Sequence, residues 1–197
     1  RITKLITAAL LVLLLPLAVL SVGASLPGLY GETYYGVLPR MYHRLKQVEG
    51  QKILVIGGSN VAFGLDGGLL EELLAAVGYD YTVCPLGLYA AVRTGAMLDL
   101  SRDALGEGDI VVLAMEPTSE TMSGYFGASA SWKCAEDAPE LLPALGKNRQ
   151  AALFGNYVPY LQERLKIEQS GLYPVATDVY ATASFDAASG TYQVDVT

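Results

Sequence analysis

The stretch that decides the fold reads Lys52-Ile53-Leu54-Val55-Ile56-Gly57-Gly58-Ser59-Asn60-Val61-Ala62-Phe63-Gly64-Leu65-Asp66. Its short apolar run, Ile53 to Ile56, predicts a buried strand, since β-branched side chains suit a pleated surface packed on both faces. Two glycines stop the run, a serine follows at once, and a helical pattern begins a few residues later. That order predicts a tight turn presenting Ser59 at the carboxyl edge of a sheet. Open α/β sheets bind their ligands at that edge.

Downstream, Asp66 is placed to cap a helix over residues 67–77, with Leu69, Leu70, Leu73 and Leu74 as its apolar stripe. Tyr81 to Cys84 reads as a second strand ended by Pro85-Leu86-Gly87. Residues 90–105 carry helical periodicity with Val92, Ala96 and Leu100 inward, and the glycines at 106 and 108 stop it. Asp109 to Met115 (DIVVLAM) predicts a third strand, apolar enough for burial on both faces. Strands alternating with helices imply βαβ units and a parallel sheet. Right-handed crossovers then bring Ser59, Gly87 and Glu116 to one edge. Beyond Glu116, Thr118 to Cys134 reads as a long substrate-facing loop. Residues 148–167 read as a helix interrupted at Pro159. Tyr180 to Phe185 and Thr191 to Val196 flank a hairpin signal at Ala188-Ser189-Gly190.

Upstream, Leu5 to Val22 runs without a charge behind Arg1 and Lys4. Its length is close to that of a bilayer core, and the flanking basic residues orient the following chain outward. An uncleaved anchor fits this length better than a signal-peptide core, although Pro16 and the small residues Ser21, Gly23, Ala24 and Ser25 leave a cleaved signal peptide open. The expected organisation is an anchor at 1–26, a juxtamembrane stem at 27–51 and an α/β domain at 52–197. The bilayer is a partner through residues 5–22, and the domain lies outside the cell membrane. Tyr30, Tyr34, Tyr35 and Tyr42 suit either a headgroup-level aromatic belt or packing onto the domain.

The 197 residues carry a formal charge of −7, which argues against nucleic acid as a partner. Cys84 and Cys134 both fall after predicted strand ends and are compatible with one disulfide or with two buried thiols. No Cys/His cluster signals a metal, and no cofactor is expected. His43, in the stem, is the one histidine. Gly57, Gly58 and Gly64 lack the G-x-G-x-x-G spacing of a dinucleotide turn, and no Gly-Lys-Ser/Thr exists for a P-loop.

Ser59 has two readings. Beside glycines it gains close backbone approach and N–H groups able to meet a developing oxyanion; equally, it could cap the next helix. Gly57-Gly58-Ser59-Asn60, with Gly64 and Asp66 following, resembles the first block of the SGNH/GDSL-type hydrolase superfamily. It is most similar to membrane-anchored extracytoplasmic members, where the block often reads G-[SG]-S-x-x-x-x-G-x-D. Leu86-Gly87 resembles the second block. The resemblance covers residues 52–117 and implies a three-layer, flavodoxin-like parallel sheet. It makes Ser59 the nucleophile and the N–H groups of Ser59 and Gly87 the oxyanion donors, with Gly58, Asn60, Glu116 and Thr118 lining the site.

Two departures matter. The family's Gly-x-Asn-Asp block is replaced by Met115-Glu116-Pro117-Thr118-Ser119, so its asparagine is missing. The Asp-x-x-His block near the carboxyl end is absent, and His43 does not match it. The expectation is therefore a domain truncated at its carboxyl end, whose missing part held the base and the last strands. The resemblance implies an esterase or O-acyltransferase acting on acylated cell-envelope glycans. The alternative is a catalytically degenerate domain of the same fold that binds glycan or envelope partners.

Overall fold

The computed structural model describes residues 2–87, 92–114, 127–174 and 185–192. At its centre three strands, β1 (Lys52–Gly57), β2 (Thr82–Leu86) and β3 (Ile110–Ala114), form a parallel sheet in the order β2-β1-β3. Ile53 stands opposite Val83 on one side and Ile110 on the other. The chain is thus mixed α/β with all three strand ends on one edge. Every residue of β1 is buried. Leu54 and Ile56 face the main core, while Ile53 and Val55 face a smaller one with Val61 and Val83.

The outer strands depart from expectation. β2 runs through Pro85, because an edge strand tolerates a residue without an N–H. Its outer side is closed by side chains: the Val83 N–H donates to Glu71 Oε1 (2.7 Å), and Arg44 Nη1 donates to the Val83 carbonyl (2.7 Å). β3 was expected to be covered on both faces, yet Ile110, Val111, Val112 and Leu113 are 41 to 49% exposed. An apolar run records what a strand can bury, whereas β3 stands at the edge with no further strand beside it among the described residues.

Helix α1 (Ile2–Ala24) is long and apolar enough to cross a membrane, with a mean hydropathy of 2.8. Its 23 residues span about 35 Å at about 1.5 Å each, against a hydrocarbon core of about 30 Å. The hydroxyls of Thr7 and Ser21 are satisfied within the helix, by Thr3 O (3.0 Å) and Leu17 O (2.8 Å), as a lipid surrounding requires. The segment that follows contains a second helix, α2 (Val37–Gln47), whose Val37, Leu38, Met41, Tyr42 and Leu45 enter the main core. Tyr42 is buried in that core and Tyr30 is buried as well, which favours the packing role for these two tyrosines.

Short α3 (Ser59–Gly64) and α4 (Gly67–Ala76) follow β1. Asp66 caps α4 as expected, its Oδ1 accepting from Leu69 N (2.9 Å). Leu70 and Leu74 pack inward, but Leu69 and Leu73 are exposed, so half of the leucine stripe is used. Within α5 (Thr94–Ser101), Ala96 and Leu100 are buried as expected, and so is Val92, two residues before it. The end of the expected loop is instead a helix, α6 (Ala128–Ala135), because Trp132, Cys134 and Ala135 can bury together.

After α7 (Leu141–Ala144), the single helix expected over 148–167 is two, α8 (Lys147–Gly155) and α9 (Tyr157–Ser170), broken at Asn156. Pro159 sits in the first turn of α9, where a missing N–H removes no helical bond. Gly171, at φ +66°, closes α9 with its N–H on Ile167 O (2.9 Å). β4 (Phe185–Asp186) and β5 (Thr191–Tyr192) pair antiparallel around the expected hairpin. Cys84 lies inside β2 and Cys134 inside α6, both buried and unpaired; the expected position after strand ends does not hold.

Candidate functional site

The carboxyl end of β1 turns directly into α3. Gly57 allows this turn by close approach: a Cβ there would sit 2.8 Å from the Ala114 carbonyl oxygen and 2.3 Å from Val61 Cγ2. Gly58 is the residue before α3, and its carbonyl accepts from Val61 N (3.1 Å) and Ala62 N (3.0 Å). Ser59 is the first residue inside the helix rather than its cap, and it is exposed. Among the described residues none hydrogen-bonds its hydroxyl. The capping explanation for this serine therefore fails in this turn.

Asn60 does more than line the site. Its Oδ1 accepts from Gly58 N (2.9 Å) and its Nδ2 donates to Ala114 O (2.7 Å). One amide side chain thus holds the glycine turn of β1 against the end of β3. It also occupies the Gly58 N–H, which leaves that group unable to meet a ligand. Sequence reasoning named Asn60 without this role, because the contact runs back to Gly58 and across to the end of β3.

Gly87 follows β2 and packs on the same helix. A Cβ at Gly87 would lie 2.7 Å from Ala62 N and 3.0 Å from Ala62 Cα, so only glycine fits without a shift of α3. The structure therefore brings Ser59, Gly58, Asn60, Gly87 and the end of β3 to one edge. Glu116 and Thr118 lie outside the described residues.

This chain matches no protein-family model, no curated protein and no solved structure. The site must be read from its own geometry.

His43 is not at this edge through any contact of its own: on α2 its Nε2 lies 2.6 Å from Glu140 Oε1, just before α7. A cavity of about 680 Å³ opens at the far end of α3, bounded by Phe63, Asp66, Glu72, Asp186 and Tyr192, and Ser59 does not line it. Among the described residues no cluster of three or more His, Cys, Asp or Glu could hold a metal ion. Burial pushes the Cys84 thiol up from its usual value against the pull of Arg44, whose Nη1 is 3.4 Å from the sulfur; burial does the same to Cys134. Neither thiol is poised as a nucleophile.

A second polar constellation went unseen in the sequence. Arg164 and Glu136, both almost wholly buried, form an ion pair. Glu136 Oε1 also accepts from the Tyr160 hydroxyl, and its Oε2 accepts from Leu29 N (2.7 Å) and Tyr30 N (3.3 Å). Arg164 Nη2 donates to the Pro27 carbonyl. Burial opposes the Arg164 charge, and the Tyr160 hydroxyl and Glu136 carboxylate more than offset it, holding the guanidinium ionised. Burial, reinforced by Glu136, pushes the Tyr160 phenol far up. The cluster fastens the chain leaving α1 to α6 and α9.

Proposed function

We propose that this protein is an SGNH-like serine esterase or O-acyltransferase, held at the cell membrane by α1, with its α/β domain on the extracytoplasmic side and an acylated envelope glycan as substrate. One observation carries the reading: Ser59 is exposed at the carboxyl end of the central parallel strand, its hydroxyl unclaimed by the described residues, with Gly87 packed one helical turn away on Ala62. The glycan substrate rests on the family resemblance alone.

In this reading Ser59 Oγ attacks the ester carbonyl, and the N–H groups of Ser59 and Gly87 receive the oxyanion. A lost donor of that kind costs about 3 kcal/mol in the transition state. The Ser59 hydroxyl proton passes to the departing alkoxide, which leaves as the alcohol; water or an acceptor hydroxyl then takes the acyl group from Ser59 and returns a proton to its Oγ. The base is not assigned to His43, whose hydrogen bond is to Glu140 and which makes none to Ser59.

No described residue meets the Ser59 hydroxyl as a base would, which favours a second reading, a domain of the same architecture that binds glycan without cleaving it. The two separate in one experiment. The protein in detergent is assayed on an acetyl ester and exposed to a serine-reactive fluorophosphonate. The hydrolase reading expects turnover that Ser59→Ala lowers by about a thousandfold or more, with loss of labelling. Turnover that Ser59→Ala leaves unchanged, or no labelling of Ser59, would refute it and leave the binding domain.

A further inference from the structure

We propose that the cavity at the foot of α1 binds the ester-linked end of an acyl chain of a bilayer lipid. The cavity measures about 270 Å³ and is walled by Leu20, Gly23 and Leu26 on one side and by Trp132, Phe154 and Tyr157 on the other. It is a fixed feature of the fold. Tyr157 donates its hydroxyl to Leu20 O (3.1 Å), and a Cβ at Gly23 would collide with that hydroxyl, so α1 rests directly on α9. Just past the cavity, Arg164 and Glu136 grip residues 27, 29 and 30.

The occupant follows from where the cavity lies. Its first wall is the last turn of α1, continuous with the exposed apolar surface of Leu10, Leu14 and Leu17. With α1 across a bilayer, that surface contacts acyl chains, and the last turn reaches the depth of the lipid esters. A chain lying along α1 enters the cavity without crossing water. The lining is apolar except at one end, where Arg164 and Glu136 border it. The Tyr160 hydroxyl, the Arg164 guanidinium and the Glu136 carboxylate make that end polar, which suits an ester group and not a free hydrocarbon end.

The proposal rests on α1 spanning the membrane, and the test separates the two. Trp132 is the sole tryptophan, so its emission reports on the cavity directly. The whole chain is reconstituted into phosphatidylcholine vesicles brominated near the ester, near the chain end, or not at all, and floated on a density gradient. The expected result is co-flotation, with most of the Trp132 emission lost to bromine near the ester and little lost to bromine near the chain end. Ala24→Phe, which fills the cavity from an exposed position, should still float and should recover the emission.

Failure to float overturns the membrane reading and the lipid site with it. Flotation without quenching, or quenching that bromine position or Ala24→Phe does not change, overturns the lipid site alone. If Ala24→Phe loses its helical circular dichroism, Leu142→Phe, which narrows the same cavity from another wall, carries the identical test.

Discussion

The two outer strands of one small sheet meet their surroundings in opposite ways. β2 is finished: Pro85 offers no N–H, Glu71 and Arg44 take the outward groups of Val83, and Arg44 Nε reaches across to the Ala188 carbonyl (2.9 Å). The β4–β5 hairpin lies against it, so close that a Cβ on Gly190 would stand 3.2 Å from Pro85 Cδ. β3 is open, with four apolar residues exposed on both faces and the composition of an interior strand. The residues that close β2 come from positions 44, 71 and 188, far apart in the chain. Edge protection here is therefore a tertiary property, and an apolar run alone does not say which edge receives it. Ser59 stands between the two, with Asn60 tying its turn to the open side.

The largest effect should come from undoing the finished edge. Arg44→Met removes the donors to Val83 O, Ala188 O and Cys84 Sγ, and removes the partner of Glu71 at 3.7 Å. Leaving such groups unsatisfied should cost about 3 kcal/mol, read as a lower urea midpoint in detergent with an unchanged slope. A loss under about 0.5 kcal/mol, the level of an ordinary surface change, would show that the hairpin rather than the arginine closes this edge.

Next in size is the tie at the start of β3. Asp109 Oδ1 accepts from Lys52 N (2.9 Å), its Oδ2 accepts from Gly106 N (2.8 Å), and the Lys52 ammonium lies 3.5 Å away. Burial pulls the Asp109 carboxyl up, but these N–H groups and the lysine outweigh it and hold it below its ordinary value of 3.8. A carboxyl held low in the fold contributes stability that is present in full above the ordinary value and is lost as pH falls through the folded one. Asp109→Asn should therefore cost about 2 kcal/mol near neutrality. Its stability should also fall less steeply than the wild type's below about pH 4. Parallel pH–stability curves for the two proteins would remove Asp109 from the account of how β3 is held.

Much of this was legible in the sequence, and the remainder fails for identifiable reasons. The Ile53–Ile56 run, the Gly57-Gly58 turn, the Asp66 cap and the inward Val92, Ala96 and Leu100 are local patterns and appear as read. Helix α2 was also local: Val37, Leu38, Met41, Tyr42 and Leu45 carry helical spacing, but membrane proximity and scattered Gly and Pro drew the reading toward a stem. The Arg164–Glu136 pair has no local signature, since its partners lie 28 residues apart and its other contacts reach residues 27 to 30. The exposure of β3 was hidden for the converse reason: a run declares its own hydrophobicity and is silent on its neighbours.

The smallest expected effect is the most telling for the comparison. Val111 and Leu113 share one face of β3, and a charge there meets water if the strand is open. Val111→Lys with Leu113→Lys should change stability by no more than about 0.5 kcal/mol per residue and should lower self-association in sedimentation velocity, because lysine on an edge strand blocks strand-to-strand pairing. The matched change to alanine gives the contrast within one residue type. Val83→Ala, at a fully buried position on β2, should cost about 2 kcal/mol, whereas Val112→Ala should stay within about 0.5 kcal/mol. If the lysines or Val112→Ala cost as much as Val83→Ala, β3 is covered in the folded protein. The difference between the edges would then be one of what covers them rather than of whether they are covered.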